Sequence, residues 1–228
     1  KRQGGNNPQK LADASKFAQD YGYSSINLNI GCPSNRVKNG AFGACLMEYP
    51  KLVASCVNAI KYKCHLPVTI KCRIGIDDMD EIKGLDEFVD EVSTSGVVKF
   101  VVHARKAILN GLSPKQNREI PPLNYERVAS LKRRRPDLEI ILNGGIETLN
   151  QGKALINEHY LDGFMIGREA YKNPYILSSV DQEIFEKKTI IKTRYQIVIE
   201  MANYIDKCIK KDETHIPAIT RHMLGLYN

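Results

Sequence analysis

Short apolar runs alternate along this chain with longer stretches whose apolar residues recur at helical spacing. The runs "SSINLNI" (24–30), "PVTIKCRIG" (67–75), "VVKFVVHA" (97–104), "LEIILNGG" (138–145) and "DGFMIGR" (162–168) have the length and β-branched content of strands. A helix precedes the first of them. Asn7 can cap it with Pro8 at its first position, Leu11, Ala14, Phe17 and Ala18 mark its apolar face, and Gly22 stops it. Further helices are expected from Pro50 in "PKLVASCVNAIKYKC", in "GLDEFVDEVSTSG" ending near Gly96, in "NYERVASLKRRR" and in "TLNQGKALINEH". Strands that alternate with helices argue for a parallel sheet. Residues 97–104 are mostly apolar on both faces, as parallel strands buried under helices are.

Each strand ends in residues able to do chemistry: Asn-Ile-Gly-Cys, Lys-Cys-Arg-Ile-Gly, His-Ala-Arg, Asn-Gly-Gly and Gly-Arg. A doubly wound sheet concentrates such residues at one switch point. A (β/α)8 barrel uses the exits of all its strands, because its loops converge over one mouth. The expected fold is therefore α/β, a (β/α)8 TIM barrel. Five complete strands are visible, and "KRQGG" reads as the end of a sixth. Two strands are then expected upstream, and the lack of an initiator Met fits a piece of a longer protein. From 176 onward the pattern is helical, with Ile191, Ile197, Ile199, Met201 and Ile205 among basic residues and a further helix starting in "IPAITRHMLGLYN". Residues 1–175 are expected to form the barrel domain and 176–228 a small all-helical domain.

Composition changes the picture in three ways. With 228 residues, 43% hydrophobic, the chain can bury a large core. Its formal net charge of +7 fits either a well-solvated surface or a polyanionic partner such as nucleic acid. The six cysteines show no C-x-x-C pair and no His at zinc spacing, which argues against a metal site or a disulfide framework and for a reducing compartment. No run approaches the ~20 apolar residues of a membrane span.

Asn143-Gly144-Gly145 and Gly167-Arg168 follow consecutive strands. Loops after the last two strands of a barrel often bind phosphate, with glycine allowing close approach and arginine adding charge-assisted donors. Lys71 should face away from Ile70 and Cys72, into the mouth, where it offers a positive charge to an electron-accepting ring. His103 can donate to the same ring or to a phosphate; a satisfied core histidine is the alternative, as a snorkelling side chain is for Lys71. Cys32, between Gly31 and Pro33, can deliver a proton or attack an electrophile, against the alternative of a packing thiol. Cys45, Cys56 and Cys72 read as packing.

Residues 104–126 are too long for a routine β–α connection. They carry Arg105, Lys106, Lys115, Gln116, Asn117 and Arg118. Lys and Arg on phosphates, with Asn and Gln on base edges, are what RNA binding needs. The run "KRRR" (132–135) lies late in a helix, where cations complement its dipole at the surface.

Taken together, "LNIGCPSNRVKNGAFGACLM", "KCRIGID", "VHARKAILNGLSPKQNREIPPLNY", "LNGGIETL" and "GFMIGREAYKNP" resemble the tRNA-dihydrouridine synthases over essentially the whole chain. The basic loop and "RHMLGLY" look most like the A-type subfamily. The resemblance implies an FMN-containing barrel followed by a tRNA-gripping helical domain. NADPH would reduce the flavin, hydride would pass to C6 of a D-loop uridine (U20 or U20a), and a cysteine would protonate C5. On matching positions Cys32 is that general acid, in a Gly-rich loop bent around a flipped-out base. Lys71 and His103 match flavin contacts. Asn143, Gly144, Gly145, Gly167 and Arg168 match the FMN phosphate cradle. Asn29, Arg105, Lys115 and Arg118 match positions facing tRNA, and Gln3 stands for a flavin-contacting glutamine. A monomer in the cytoplasm, or in an organelle, with no metal and no membrane association is expected. The chain departs from it in lacking the first strand's Ala-Pro-Met-Met-type turn, the second strand and the basic tail, and in reading "KRQGG" for Leu-Gln-Leu-Gly-Gly.

Overall fold

The computed structural model describes residues 1–34, 41–80, 82–211 and 215–227. Two compact units are formed, one from Lys1–Gly145 with Leu155–Met165, the other from Ile146–Ala154 with Ile166–Asn228.

The first unit is built on a six-stranded sheet: β1 (Arg2–Gln3), β2 (Ile26–Asn29), β3 (Val68–Arg73), β4 (Lys99–His103), β5 (Glu139–Asn143) and β6 (Gly163–Met165). Every pairing is parallel, and the spatial order is the chain order. No switch point interrupts it, which is how a barrel wall is wound and how a doubly wound sheet is not. "KRQGG" does supply a sixth strand, β1, on β2. Helices α1 (Pro8–Asp20), α2 (Pro50–Lys63), α3 (Lys83–Ser93) and α4 (Tyr125–Arg134) connect these strands, and α5 (Leu149–His159) follows β5 in the chain.

Local chemistry sets the helix ends. The Asn7 side chain accepts from the Lys10 amide at 2.9 Å, Pro50 opens α2, and Asn124 accepts from the Arg127 amide at 2.9 Å. On α2 the residues Val53, Cys56, Val57 and Ile60 are buried, and on α3 Leu85, Phe88, Val89 and Val92. On α1 the buried face is Leu11, Ala12, Ser15 and Ala18, while Phe17 is 67% exposed, so the expected stripe through Ala14 and Phe17 is rotated. The polar Ser15 can sit inside because its hydroxyl donates to the Leu11 carbonyl at 2.7 Å.

Period-two alternation sorts the sheet into two faces. Ile26, Leu28, Ile70, Cys72, Phe100, Val102, Ile140 and Leu142 are at most 2% exposed and form the core under the helices. The opposite face carries Asn27, Asn29, Thr69, Lys71, Arg73, His103 and Asn143.

The "KRRR" run does more than complement a dipole. Arg134 pairs with Asp86 and Asp90, Arg135 with Asp90 and Asp137, and Lys132 with Asp162. It therefore cross-links α4 to α3 through acids some forty residues upstream.

In the second unit, α6 (Arg168–Lys172), α7 (Val180–Glu183), α8 (Arg194–Lys210) and α9 (Ile216–Thr220) follow in order. The stretch from 179 to 211 is not one helix: it breaks between α7 and α8, where Thr193 and Gln196 form a reciprocal capping box. No helix among the described residues is long and apolar enough to cross a membrane.

Candidate active site

Parallel pairing puts all six strand exits on one edge of the sheet. The register aligns Asn29 with Lys71, and Arg73 with His103 and Asn143. Four residues expected at the site from sequence, Asn29, Lys71, His103 and Asn143, thus share one edge and one face. The Lys71 ammonium donates to Asn143 Oδ1 at 2.8 Å, and Asn143 Nδ2 donates to the Met165 carbonyl at 2.9 Å. Burial, with the cations of Arg2 and Arg73 nearby, lowers the Lys71 pKa to about 8.

Cys32 lies three residues beyond Asn29 and is half-buried. Its carbonyl accepts from the Ala44 amide at 3.0 Å, and its thiol donates to Ser34 Oγ at 3.5 Å. Residues 35–40 of the Gly-rich loop lie outside the described residues, so its expected bend around a base is not described there. The remaining cysteines are also free thiols. Burial pushes the Cys72 thiol up to about 12 and Cys56 to about 11, as packing thiols.

Gly144 and Gly145 turn through positive φ, +118° and +69°. The space a Cβ would need at 144 is taken by the His103 ring, with Cδ2 at 2.6 Å; at 145 it is taken by Leu123. Tyr125 Oη donates to the Gly144 carbonyl at 2.8 Å. The first glycine therefore seats His103. We expect Gly144→Ala to cost about 2–3 kcal/mol in urea unfolding. His103→Ala should recover part of that cost in the double variant, by removing the clash. Gly167 and Arg168 belong to the second unit, where both are exposed and Arg168 opens α6.

Gln3 does not join the site. In register with Leu28, it lies on the helix-covered face, and its Oε1 accepts from Ser15 at 3.3 Å. Arg2, in register with Asn27, takes the face that carries Lys71, and its Nε donates to Asn27 Oδ1 at 3.3 Å.

Residues 104–126 form a built loop. Ile76 and Ala107 make a parallel bridge, the Leu109 amide donates to Asp77 Oδ1 at 2.7 Å, and Lys106 Nζ donates to the Met79 carbonyl at 2.7 Å. Arg105 is half-buried and donates to the Glu119 and Pro121 carbonyls of its own loop. Lys115, Gln116 and Arg118 are exposed. Asn117 is not available to a base edge: it is fully buried, with its amide bonded inside the loop.

Arg73 gave no local signal beyond lying in "KCRIG". It is 2% exposed, and its guanidinium donates to the carbonyls of Gly31, Lys106 and Asn117.

A six-stranded parallel wall in chain order, with lysine, histidine and asparagine at its exits and a thiol nearby, is the wall of a β/α barrel. The chain matches the family described as Dihydrouridine synthase over residues 3–228. It is 52% identical over 225 residues to a tRNA-dihydrouridine(20/20a) synthase of Vibrio cholerae, covering 98% of this chain and 68% of that protein. It is 50% identical over 225 residues to the protein of that name from Escherichia coli K12, covering 98% and 64% respectively. For that of Synechocystis the figures are 47% over 227 residues, 99% and 66%. This chain belongs to the dihydrouridine synthase family, and its fold is the TIM barrel of that family.

Proposed function

We propose that this protein reduces uridine to 5,6-dihydrouridine in tRNA, at the 20/20a positions in the names of its relatives, with FMN as cofactor and NADPH as reductant. The observation that carries the reading is the common edge: Cys32 follows the exit of β2, beside the face where Lys71 and Asn143 are hydrogen-bonded and His103 is seated over Gly144.

The residues fit a flavin. A cation on a rigid strand, held by an asparagine that is itself held, suits a ring that becomes electron-rich. Gly144 and Gly145 supply permissive backbone that suits a phosphate, and in the second unit Gly167 and Arg168 supply permissive backbone and a guanidinium of the same kind. When bound, FMN supplies hydride transfer. The chain's own residues do the rest. Asn29, one strand from Lys71, orients the uracil, and the Cys32 thiol delivers the proton to C5. Lys115 and Arg118, exposed on the loop that follows β4, meet the phosphates. Arg105 serves the RNA through the loop whose carbonyls it holds. Residues 176–228 contribute helices that grip the tRNA. A cytoplasmic monomer belongs to the same reading.

The test uses the full-length protein, NADPH and a tRNA transcript, with dihydrouridine measured by mass spectrometry. Lys115→Ala and Arg118→Ala should each weaken tRNA affinity about tenfold, and each should reduce the salt slope of binding by about one. An enzyme acting on a free pyrimidine would be indifferent to both changes. The matching cellular test is loss of dihydrouridine from tRNA in cells lacking the gene.

A further inference from the structure

The mouth holds one group that the reading above does not use. Asn117 is 0% exposed although it sits in a polar loop between Gln116 and Arg118. Its Nδ2 donates to the carbonyls of Ile108, Leu112 and Ser113 at 2.8, 3.2 and 3.3 Å, and its Oδ1 accepts from the Ile108 amide at 2.7 Å. One side chain thus ties both ends of the 108–117 segment. Its backbone carbonyl then accepts from Arg73 NH1 at 2.9 Å.

Arg73 carries the connection further. The same NH1 donates to the Lys106 carbonyl at 3.0 Å, and Nε donates to the Gly31 carbonyl at 3.1 Å. Gly31 is the residue before Cys32. A planar guanidinium fixes its donors in one geometry, so the two ends cannot move independently. Arg105 and Arg118 are near enough to Arg73 to help lower its pKa to about 10, after the larger effect of burial.

We propose that Asn117 is a positioning residue that, through Arg73, holds the RNA-facing loop and the backbone of Cys32 in one register. This inference rests on the reading of the protein as a tRNA uridine reductase. The loop that carries Lys115 and Arg118 and the strand exit that carries the thiol are set by a single buried bracket. tRNA seated on the loop then finds the thiol already in place. Lys cannot reproduce the bracket, because an ammonium lacks the rigid fork that spans both sides.

The experiment measures kcat and KM for tRNA in the full-length, FMN-loaded enzyme, with NADPH and dihydrouridine as the product read. The variants are Asn117→Ala, Asn117→Ser, Arg73→Lys and the pair Asn117→Ala/Arg73→Lys. Asn117→Ala should lower kcat roughly 30-fold, the order expected of a sub-ångström misplacement of a reacting group, and raise KM as well. Asn117→Ser, which keeps one donor and one acceptor, should recover part of both and supplies the same comparison if the alanine variant does not fold. The pair should be no worse than the weaker single, since both changes open one bracket.

A change in KM alone would confine Asn117 to the loop and overturn the proposal. Additive losses in the pair would remove Arg73 from the route and also overturn it. Lower thermal stability with unchanged kcat and KM for the folded fraction would reduce Asn117 to a loop staple, against the proposal. In each of these cases wild-type dihydrouridine formation leaves the functional reading standing. A wild-type enzyme that forms none removes both.

Discussion

Cys32→Ala should leave a folded, yellow protein that binds tRNA normally and forms dihydrouridine about 10³-fold more slowly, the range typical of a lost general acid. On the proposed reading the thiol serves proton delivery. It is only half-buried, so it does not serve as core filler in the way Cys72 does at 0% exposure. Its backbone is fixed on both sides: the Gly31 carbonyl accepts from Arg73, and the Cys32 carbonyl accepts from Ala44. Removing Sγ therefore changes one reacting atom and leaves its surroundings. Ser34 Oγ, 3.5 Å from that sulfur, is a hydroxyl that can take over, so Cys32→Ala/Ser34→Ala should be slower still. Bound cofactor is read by absorbance, tRNA affinity by filter binding and product by mass spectrometry. Wild-type product yield in the single variant would end the assignment of residue 32 as the acid.

The residues at the strand exits could be read in the sequence because two rules suffice to place them. Parallel strands send their exits to one edge, and alternation fixes the face. Flanked by two apolar residues, Lys71 could face only one way. The caps at Asn7, Pro8 and Pro50 were equally legible, since a helix end is decided within four residues.

What the sequence hid was long-range. Asn117 in "PKQNR" has the composition of a base-reading loop, and its burial depends on carbonyls of residues 108, 112 and 113 that only the folded loop brings to it. Arg73 looks like any strand-end cation; its partner carbonyls lie 42, 33 and 44 residues away. The acids that take the "KRRR" run are equally remote. The buried face of α1 is rotated from the expected one because a serine satisfies itself and so passes as core, leaving Phe17 outside. The break before α8 did have a local signal, Thr193 three residues before Gln196, overshadowed by the apolar periodicity on both sides. The face of Gln3 could not be read from the sequence, because two residues of strand are too few for alternation to show; pairing with β2 decides it.

Lys71→Met should weaken FMN binding about 10²-fold near neutral pH, the loss expected when a charge-assisted hydrogen bond is removed from a buried site. The wild-type protein should show a pH dependence that the variant lacks. Burial, then repulsion from Arg2 and Arg73, lowers the Lys71 pKa from 10.5 to about 8. Below pH 8 the folded and unfolded chains both carry the proton, and the cofactor-free protein bears the full cost of a buried ammonium. Between about 8 and 10.5 only the unfolded chain still carries it, so cofactor-free stability should rise with pH in that window. Cofactor affinity should move the opposite way. An electron-rich group beside Nζ favours the charged form, so binding above pH 8 must take up a proton. Affinity should then fall by up to about tenfold per pH unit. Fluorescence titration of FMN into the cofactor-free protein from about pH 7 to about pH 9.5 reads the affinity, and urea unfolding of the cofactor-free protein over the same range reads the stability. A flat wild-type profile, or a Lys71→Met profile of equal slope, would mean that this lysine does not meet the cofactor as an ammonium, and the strand-exit face would lose the charge on which its fit to a flavin depends.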